Sequence, residues 1–527
     1  MFSWNFPYPS QRMPVLAKNI VATSQPLAAQ AGLAMLAKGG NAVDAGLAAA
    51  ITLTVVEPTS NGIGSDVFAI LWDGQRLVGL NASGRSPALW TPQRFAGKKI
   101  MPSLGWDSVT VPGAVSAWIA LSKRYGKLPF EDLFEAGIRY ARESYMVSPI
   151  TAVSWANQAP NFKGFSEFCW TFLPKDRAPY AGERFYCPQM AETLEDIASS
   201  KGESFYRGTI AERIALASEA DDGAMRQEDL AQHKADWVDP IAIDYRGYQL
   251  HEMPPNGQGI AALIALGILR NFDMSSIPVD SADCYHLQLE AMKLAFADVW
   301  RNVADPAAMK VTTAEMLDAE YLKGRAKRID MKRAQAPSHG IPRDGGTVYL
   351  TTADEKGMML SFIQSNYKGF GSGVVVPGTG ISLQNRGAGF VLTPGHADEV
   401  GPRKRPYHTI IPGFLTRNGQ PVMSFGVMGG DMQPQGHIQM IIRLVDYNQN
   451  PQSCADAPRW IVNHDMSVSL EEAVPAAVKE ELKRRGHNIV GSERPMFGFG
   501  GAQLIHRLDD GYCAGTDPRK DGCAVGF

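Results

Sequence analysis

The chain has 527 residues, 45% hydrophobic and 20% charged, a balance that can bury a sizeable core and is not that of a disordered chain. Lys and Arg total 51 against 54 Asp and Glu, a formal net charge of -3, without the basic excess of a dedicated nucleic-acid binder. Six cysteines with no C-x-x-C pair disfavour a zinc ribbon, a thioredoxin-type site and a disulfide scaffold, and predict reduced thiols.

Residues 1–9 lack the basic segment and apolar stretch of a signal peptide, and the longest apolar run, about 45–56, is too short for a bilayer, which needs roughly 20 residues. A soluble, cytoplasmic protein without a membrane partner is expected. Gln25–Lys38 reads as an Ala/Leu-rich helix stopped by Gly39-Gly40. Asn41 is placed to cap a second helix carrying Ala42, Val43, Leu47, Ile51 and Val55, and both helices read as core. A polar, glycine-rich loop, Glu57–Asp66, leads into strands near 67–72 and 77–80 joined by Asp73-Gly74. From about 115 to 330 the chain reads as mostly helical, with Leu289, Met292, Phe296 and Trp300 on one face of a helix over 283–300. Lys332–Gly346, rich in Pro, Gly and basic residues, reads as a linker or exposed tail. Thr347–Ala353 and Met358–Gln364 then read as paired strands around a turn at 354–357, and the rest is strand- and glycine-rich. No repeat of 20–50 residues is visible. Helical and strand blocks of this size predict a layered α+β fold.

Common catalytic signatures are missing: there is no G-x-S-x-G, no H-E-x-x-H and no phosphate loop, and Gly369–Gly373 does not complete a dinucleotide fingerprint. The ten histidines are scattered, so neither a metal nor a cofactor is expected. One arrangement carries chemistry. In Asp344-Gly345-Gly346-Thr347 a threonine opens a strand directly after the linker. Cutting the Gly346–Thr347 bond would give Thr347 a free α-amine, whose ordinary pKa of about 7.7–8 suits a general base. Nucleophile and base would then reside in one residue. The motif alone also fits an ordinary strand threonine.

Several separated motifs together resemble the γ-glutamyltranspeptidase family of N-terminal nucleophile hydrolases. They are Val21–Ala28, Gly39-Gly-Asn-Ala-Val-Asp-Ala45, Glu57-Pro58, Gly62-Ile-Gly64, Val111-Pro-Gly113, Asp344–Thr347, Asn385 and Met428-Gly-Gly430. The resemblance implies a four-layer αββα sandwich and autocleavage into a large fragment, 1–346, and a small one, 347–527, that remain together as one intertwined heterodimer. A higher oligomer is compatible with it. It implies Thr347 as nucleophile, Gly429 and Gly430 as oxyanion donors, and Ser365 in the place of a threonine that hydrogen-bonds the nucleophile.

Elsewhere the chain departs from the transpeptidase pattern. Arg386 and Gly389 replace the groups that hold a glutamyl α-amine, His408-Thr409 replaces a Ser-Ser pair, and Tyr367 replaces an asparagine. The arginine that reads the substrate carboxylate aligns with Ser83, and Arg85 is placed to take over. Arg85, Tyr367, Arg386, His408 and Thr409 are therefore the expected substrate-binding residues. These departures resemble the hydrolase branch, and within it the oxamate amidohydrolases, which split the small molecule oxamate into oxalate and ammonia in purine degradation. Glutaryl- or cephalosporin-type acylases, a true transpeptidase and a processed binding protein are the alternatives.

Overall fold

The computed structural model describes residues 11–335, 346–491 and 498–527. Most of the linker reading therefore lies outside the described residues. The capped helices form as their sequence dictates. Asn41 Oδ1 accepts from the N–H groups of Val43 and Asp44, while Asp44 Oδ2 accepts from Asn41 N at 2.9 Å. This capping box starts a helix, Ala42–Val56, that is buried on every side. Its partner, Pro26–Ala37, begins after Gln25 and packs antiparallel beside it.

The expected hairpin after the linker is the middle of a seven-stranded sheet. Its order is Cys523–Gly526, Ile20–Thr23, Gly346–Ala353, Met359–Tyr367, Asp66–Trp72, Leu77–Asn81, Asp236–Val238. A second seven-stranded sheet runs Val15–Ala17, Gly511–Thr516, Ala502–Leu508, Gln420–Val427, Gly413–Arg417, Tyr248–Glu252, Ile241–Tyr245. The stretch 115–330 is mostly helical, as expected, but residues 236–252 interrupt it and supply strands to both sheets. The short strands there are bounded by Asp239-Pro240 and Arg246-Gly247, turn signals that the surrounding helical pattern obscured.

Alternation along the strands sets the layers. Val67, Ala69, Leu71, Val348, Leu350 and Phe362 face the Ala42–Val56 helix and its neighbours. Phe68, Ile70, Tyr349 and Ile363 face the other way, onto Phe414 and Ile505 of the second sheet. That sheet's outer face, with Leu415, Met423, Phe425 and Leu504, packs on helices Ile260–Leu269, Ala282–Asn302 and Met432–Val445. The result is helix–sheet–sheet–helix, the expected αββα α+β sandwich. The six cysteines carry no disulfide. Among the described residues no helix is long and apolar enough to cross a membrane, and no cluster of three or more His, Cys, Asp or Glu could hold a metal ion.

Candidate active site

The parity that sends Tyr349, Ile363 and Phe68 into the gap between the sheets sends Thr347, Ser365 and Asp66 there as well. Ser365 pairs directly with Asp66 across the ladder, and the register shifts between Gly346 and Val348. Thr347 thus sits at an irregularity of the kind that re-aims side chains beside active sites. Its Oγ donates to Ser365 Oγ at 3.3 Å and accepts from Gln433 Nε2 at 3.3 Å. Ser365 Oγ in turn accepts from Tyr367 N at 2.8 Å. Tyr367 carries a φ of 77°, a left-handed backbone conformation unusual for an aromatic residue and typical of a constrained site.

Gly429 and Gly430 lie between strand Gln420–Val427 and helix Met432–Val445, with φ of 117° and 61°. Only glycine takes up this pair of angles without strain. Gln258 Nε2 holds the Gly430 carbonyl at 2.9 Å and the Thr409 carbonyl at 2.6 Å. Gln433, in the first turn of that helix, spans from Thr347 to the Ile411 N–H, which its Oε1 accepts at 2.9 Å. Thr347, the diglycine and the 407–411 segment are therefore bound together by two glutamine amides.

Arg386 is 1% exposed. Its Nη1 donates to Thr409 Oγ1 at 2.7 Å and its guanidinium lies 4.6 Å from the Tyr367 ring centre. Its Nε and Nη2 have no hydrogen-bond partner among the described residues. Burial lowers its pKa to about 10, opposed by the Asp66 carboxylate and Tyr367, so the group is a cation at neutral pH. A buried cation with one edge unpaired is costly unless an anion completes it.

His408 is fully buried. Its Nε2 lies 3.1 Å from Asp66 Oδ2, and its Nδ1 faces the Ile410 N–H at 3.4 Å. Burial, with Arg386 and Arg405, pushes its pKa well below the usual value, so it is a neutral imidazole with the proton on Nε2. Both ring nitrogens are engaged within the protein.

The structure thus brings together Thr347, Ser365, Tyr367, Arg386, His408, Thr409 and the diglycine. It does not bring Arg85 into their contacts. Arg85 Nη1 bonds Asp305 Oδ2 at 3.1 Å and the Arg403 carbonyl at 3.2 Å, and its side chain is 46% exposed. It lines a concavity of about 280 Å³ with His233, Asp236, Arg403 and Arg405. Sequence reasoning missed Asp66, Gln258 and Gln433. The only local signals are Pro254-Pro-Asn-Gly-Gln-Gly259, a turn-rich stretch between a strand and a helix, and the position of Gln433 three residues after the diglycine.

The chain resembles known proteins over most of its length. A model of the gamma-glutamyltranspeptidase family matches residues 28–527. The chain is 35% identical to the glutathione hydrolase-like YwrD proenzyme of Bacillus subtilis, covering 97% of this chain and 98% of that one. It is 34% identical to the oxamate amidohydrolase proenzyme of Klebsiella pneumoniae, covering 95% and 97%. The crystal structure of a cephalosporin acylase from Bacillus halodurans superposes with a TM-score of 0.95 at 48% identity, over 100% of this chain and 99% of that one. A threonine in the gap between two stacked sheets, tied by glutamine amides to the segments around a diglycine turn, in a chain matched over residues 28–527, leads to one conclusion: the protein belongs to the gamma-glutamyltranspeptidase family of N-terminal nucleophile hydrolases and is an amide-bond hydrolase.

Proposed function

We propose that the chain is an autoprocessing amidohydrolase for small amides whose acyl part carries a carboxylate. The observation that carries this reading is Arg386, a fully buried cation with its Nε–Nη2 edge unpaired. That edge matches the two oxygens of a carboxylate. The same cation would repel the α-ammonium of a γ-glutamyl group.

In maturation, Thr347 Oγ attacks the Gly346 carbonyl carbon. The C–N bond breaks, its nitrogen takes the hydroxyl proton, and an ester forms. Water then hydrolyses the ester, leaving a carboxylate on Gly346 and a free amine on Thr347. In turnover that amine takes the Oγ proton as Oγ adds to the substrate carbonyl. Ser365 and Gln433 hold Oγ on line, and the Gly429 and Gly430 N–H groups receive the oxyanion, each such donor being worth about 2.7–4 kcal/mol of barrier. The proton passes to the leaving nitrogen, an acyl ester remains, and water releases the acid by the same route. The proenzyme names of two relatives support the cleavage step.

Oxamate is the smallest substrate of this class, and the Klebsiella relative supports it. A glutaryl- or cephalosporin-type acylase is the second reading, favoured by the higher identity of the acylase structure. Steady-state kinetics with oxamate, glutaryl-p-nitroanilide and γ-glutamyl-p-nitroanilide separate them. Turnover is expected on one of the first two. A preference for the γ-glutamyl compound would overturn the role given to Arg386.

A further inference from the structure

Asp66 stands in the inter-sheet gap one strand from the nucleophile's partner, yet the reaction described above gives it nothing to do. It is 0% exposed and directly opposite Ser365. Opposed residues of an antiparallel pair share a face, with Cβ atoms about 4.5–5.5 Å apart. Its Oδ1 accepts from Gly84 N at 3.3 Å and Gly113 N at 3.1 Å, and its Oδ2 from His408. Both glycines press backbone against backbone: a Cβ on Gly84 would lie 1.6 Å from the Val111 carbonyl oxygen, and one on Gly113 1.5 Å from that of Ala82. The cradle is built for this carboxylate. His408 links it to Thr409, whose hydroxyl holds Arg386.

We propose that Asp66 is a specificity-determining residue, the internal counter-charge of Arg386, which a substrate carboxylate can replace only when Asp66 carries a proton. The proposal rests on the reading of Arg386 as the carboxylate-binding group. Without substrate, one buried anion faces one buried cation. A substrate carboxylate adds a second anion to the same water-poor space, and one proton taken up by Asp66 restores the balance.

The groups around Asp66 leave it as the one that titrates near neutrality. Arg386 approaches from the 386–389 turn and is the strongest charge acting on it. His408 and Arg405 approach from the 405–409 segment, the first neutral, the second paired with Asp236 at 2.9 Å. Tyr206 belongs to helix Glu203–Arg207; burial holds its hydroxyl protonated, and it donates to the Pro112 carbonyl at 2.9 Å. His233, stacked on Tyr206, is neutral, its pKa lowered to about 3 by burial and the nearby Arg405 and Arg85. Burial raises Asp66 itself to about 7, against the pull of Arg386 and the two glycine N–H groups. The sign follows: below about pH 7 Asp66 is protonated and Arg386 is left to receive the substrate acid, and affinity for the acid falls as pH rises through that value. The α-amine of Thr347 also titrates in this range, but it serves acid and neutral substrates alike.

The test compares kcat/KM for the acid substrate with that for its neutral methyl ester, across about pH 5.5 to 9, in the parent, Asp66→Asn and Arg386→Met. In the parent the acid-to-ester ratio should fall by up to about tenfold per pH unit above 7, mostly through KM. In Asp66→Asn, where Asn keeps an oxygen for Gly84 and Gly113, the ratio should be flat with pH and at least equal to the parent's low-pH value. A ratio in Asp66→Asn that still falls with pH as in the parent overturns the proposal while leaving Arg386 in place. An Arg386→Met enzyme that still prefers the acid overturns the underlying reading instead. If Asp66→Asn fails to fold, calorimetry on the parent near pH 7 in two buffers of different ionisation heat decides. At that pH the product acid should take up about half a proton more than its neutral amide, and equal uptake overturns the proposal.

Discussion

Two arginines of this chain, Arg386 and Arg85, have the same chemistry and opposite surroundings. Arg386 is fully buried, with the Tyr367 ring face beneath it and its Nε and Nη2 without a partner among the described residues. Arg85 lines an open concavity, with an aspartate and a carbonyl oxygen on its guanidinium. Water screens the second group and fills whatever its partners leave open, so its ion pair contributes little. No water of comparable freedom serves the first. The comparison teaches that an arginine reads a substrate through what its surroundings deny it, and that proximity to a motif in sequence is no guide to this.

That contrast can be attacked in order of expected effect. It assumes that the chemistry occurs at Thr347. Thr347→Ala should leave a single uncut chain and lower amide hydrolysis by about 10⁴–10⁶-fold, as removal of a nucleophile does elsewhere. In the parent, N-terminal sequencing of the small fragment should read Thr-Val-Tyr-Leu, and any other start would place the nucleophile elsewhere. Arg386→Met should lower kcat/KM for the acid substrate by about 10²–10³-fold, since truncating one side of a buried charged contact costs about 3–4 kcal/mol. The neutral ester should be nearly unaffected; a parallel loss on both would mean that Arg386 only supports the fold. Gln433→Leu should slow kcat by about 2–12-fold with KM held, because one neutral hydrogen bond to the nucleophile is lost. Arg85→Ala should change acid turnover by no more than about twofold, the consequence of breaking an exposed pair. A large loss there, confined to the acid, would reverse the roles assigned to the two arginines.

Much of the architecture was legible because it is written locally. Asn41 with Asp44 announces a helix start, Asp73-Gly74 a hairpin, and the step from Gly346 to Thr347 the beginning of a strand. What was not legible depends on residues far apart in sequence. Asp66 matters because Ser365, 299 positions later, is its ladder partner. Gln258 matters because one amide reaches both Thr409 and Gly430. The strands at 236–252 vanished into a helical neighbourhood because short half-buried strands carry only a few residues of period-two signal. Arg386 stands out in the sequence by its misfit to a known pattern, whereas the loop position of Arg85 says nothing about which side of the backbone its side chain leaves, and the structure turns it to Asp305 and the Arg403 carbonyl.

The interleaving of the first sheet bears on how this protein can be lost. Strand Gly346–Ala353 is held between Ile20–Thr23 on one side and Met359–Tyr367 on the other, and Met359–Tyr367 is zipped in turn to Asp66–Trp72. A break at residue 346 therefore leaves two polypeptides threaded through one another, with no seam along which they can part. Before the cut, refolding is a one-body search and independent of concentration. After it, every unfolding event must be repaired by an encounter of two chains, neither of which owns a whole sheet. The mature enzyme would then persist by the slowness of its unfolding rather than by its capacity to return, and heating it once in dilute solution should be enough to reveal the difference.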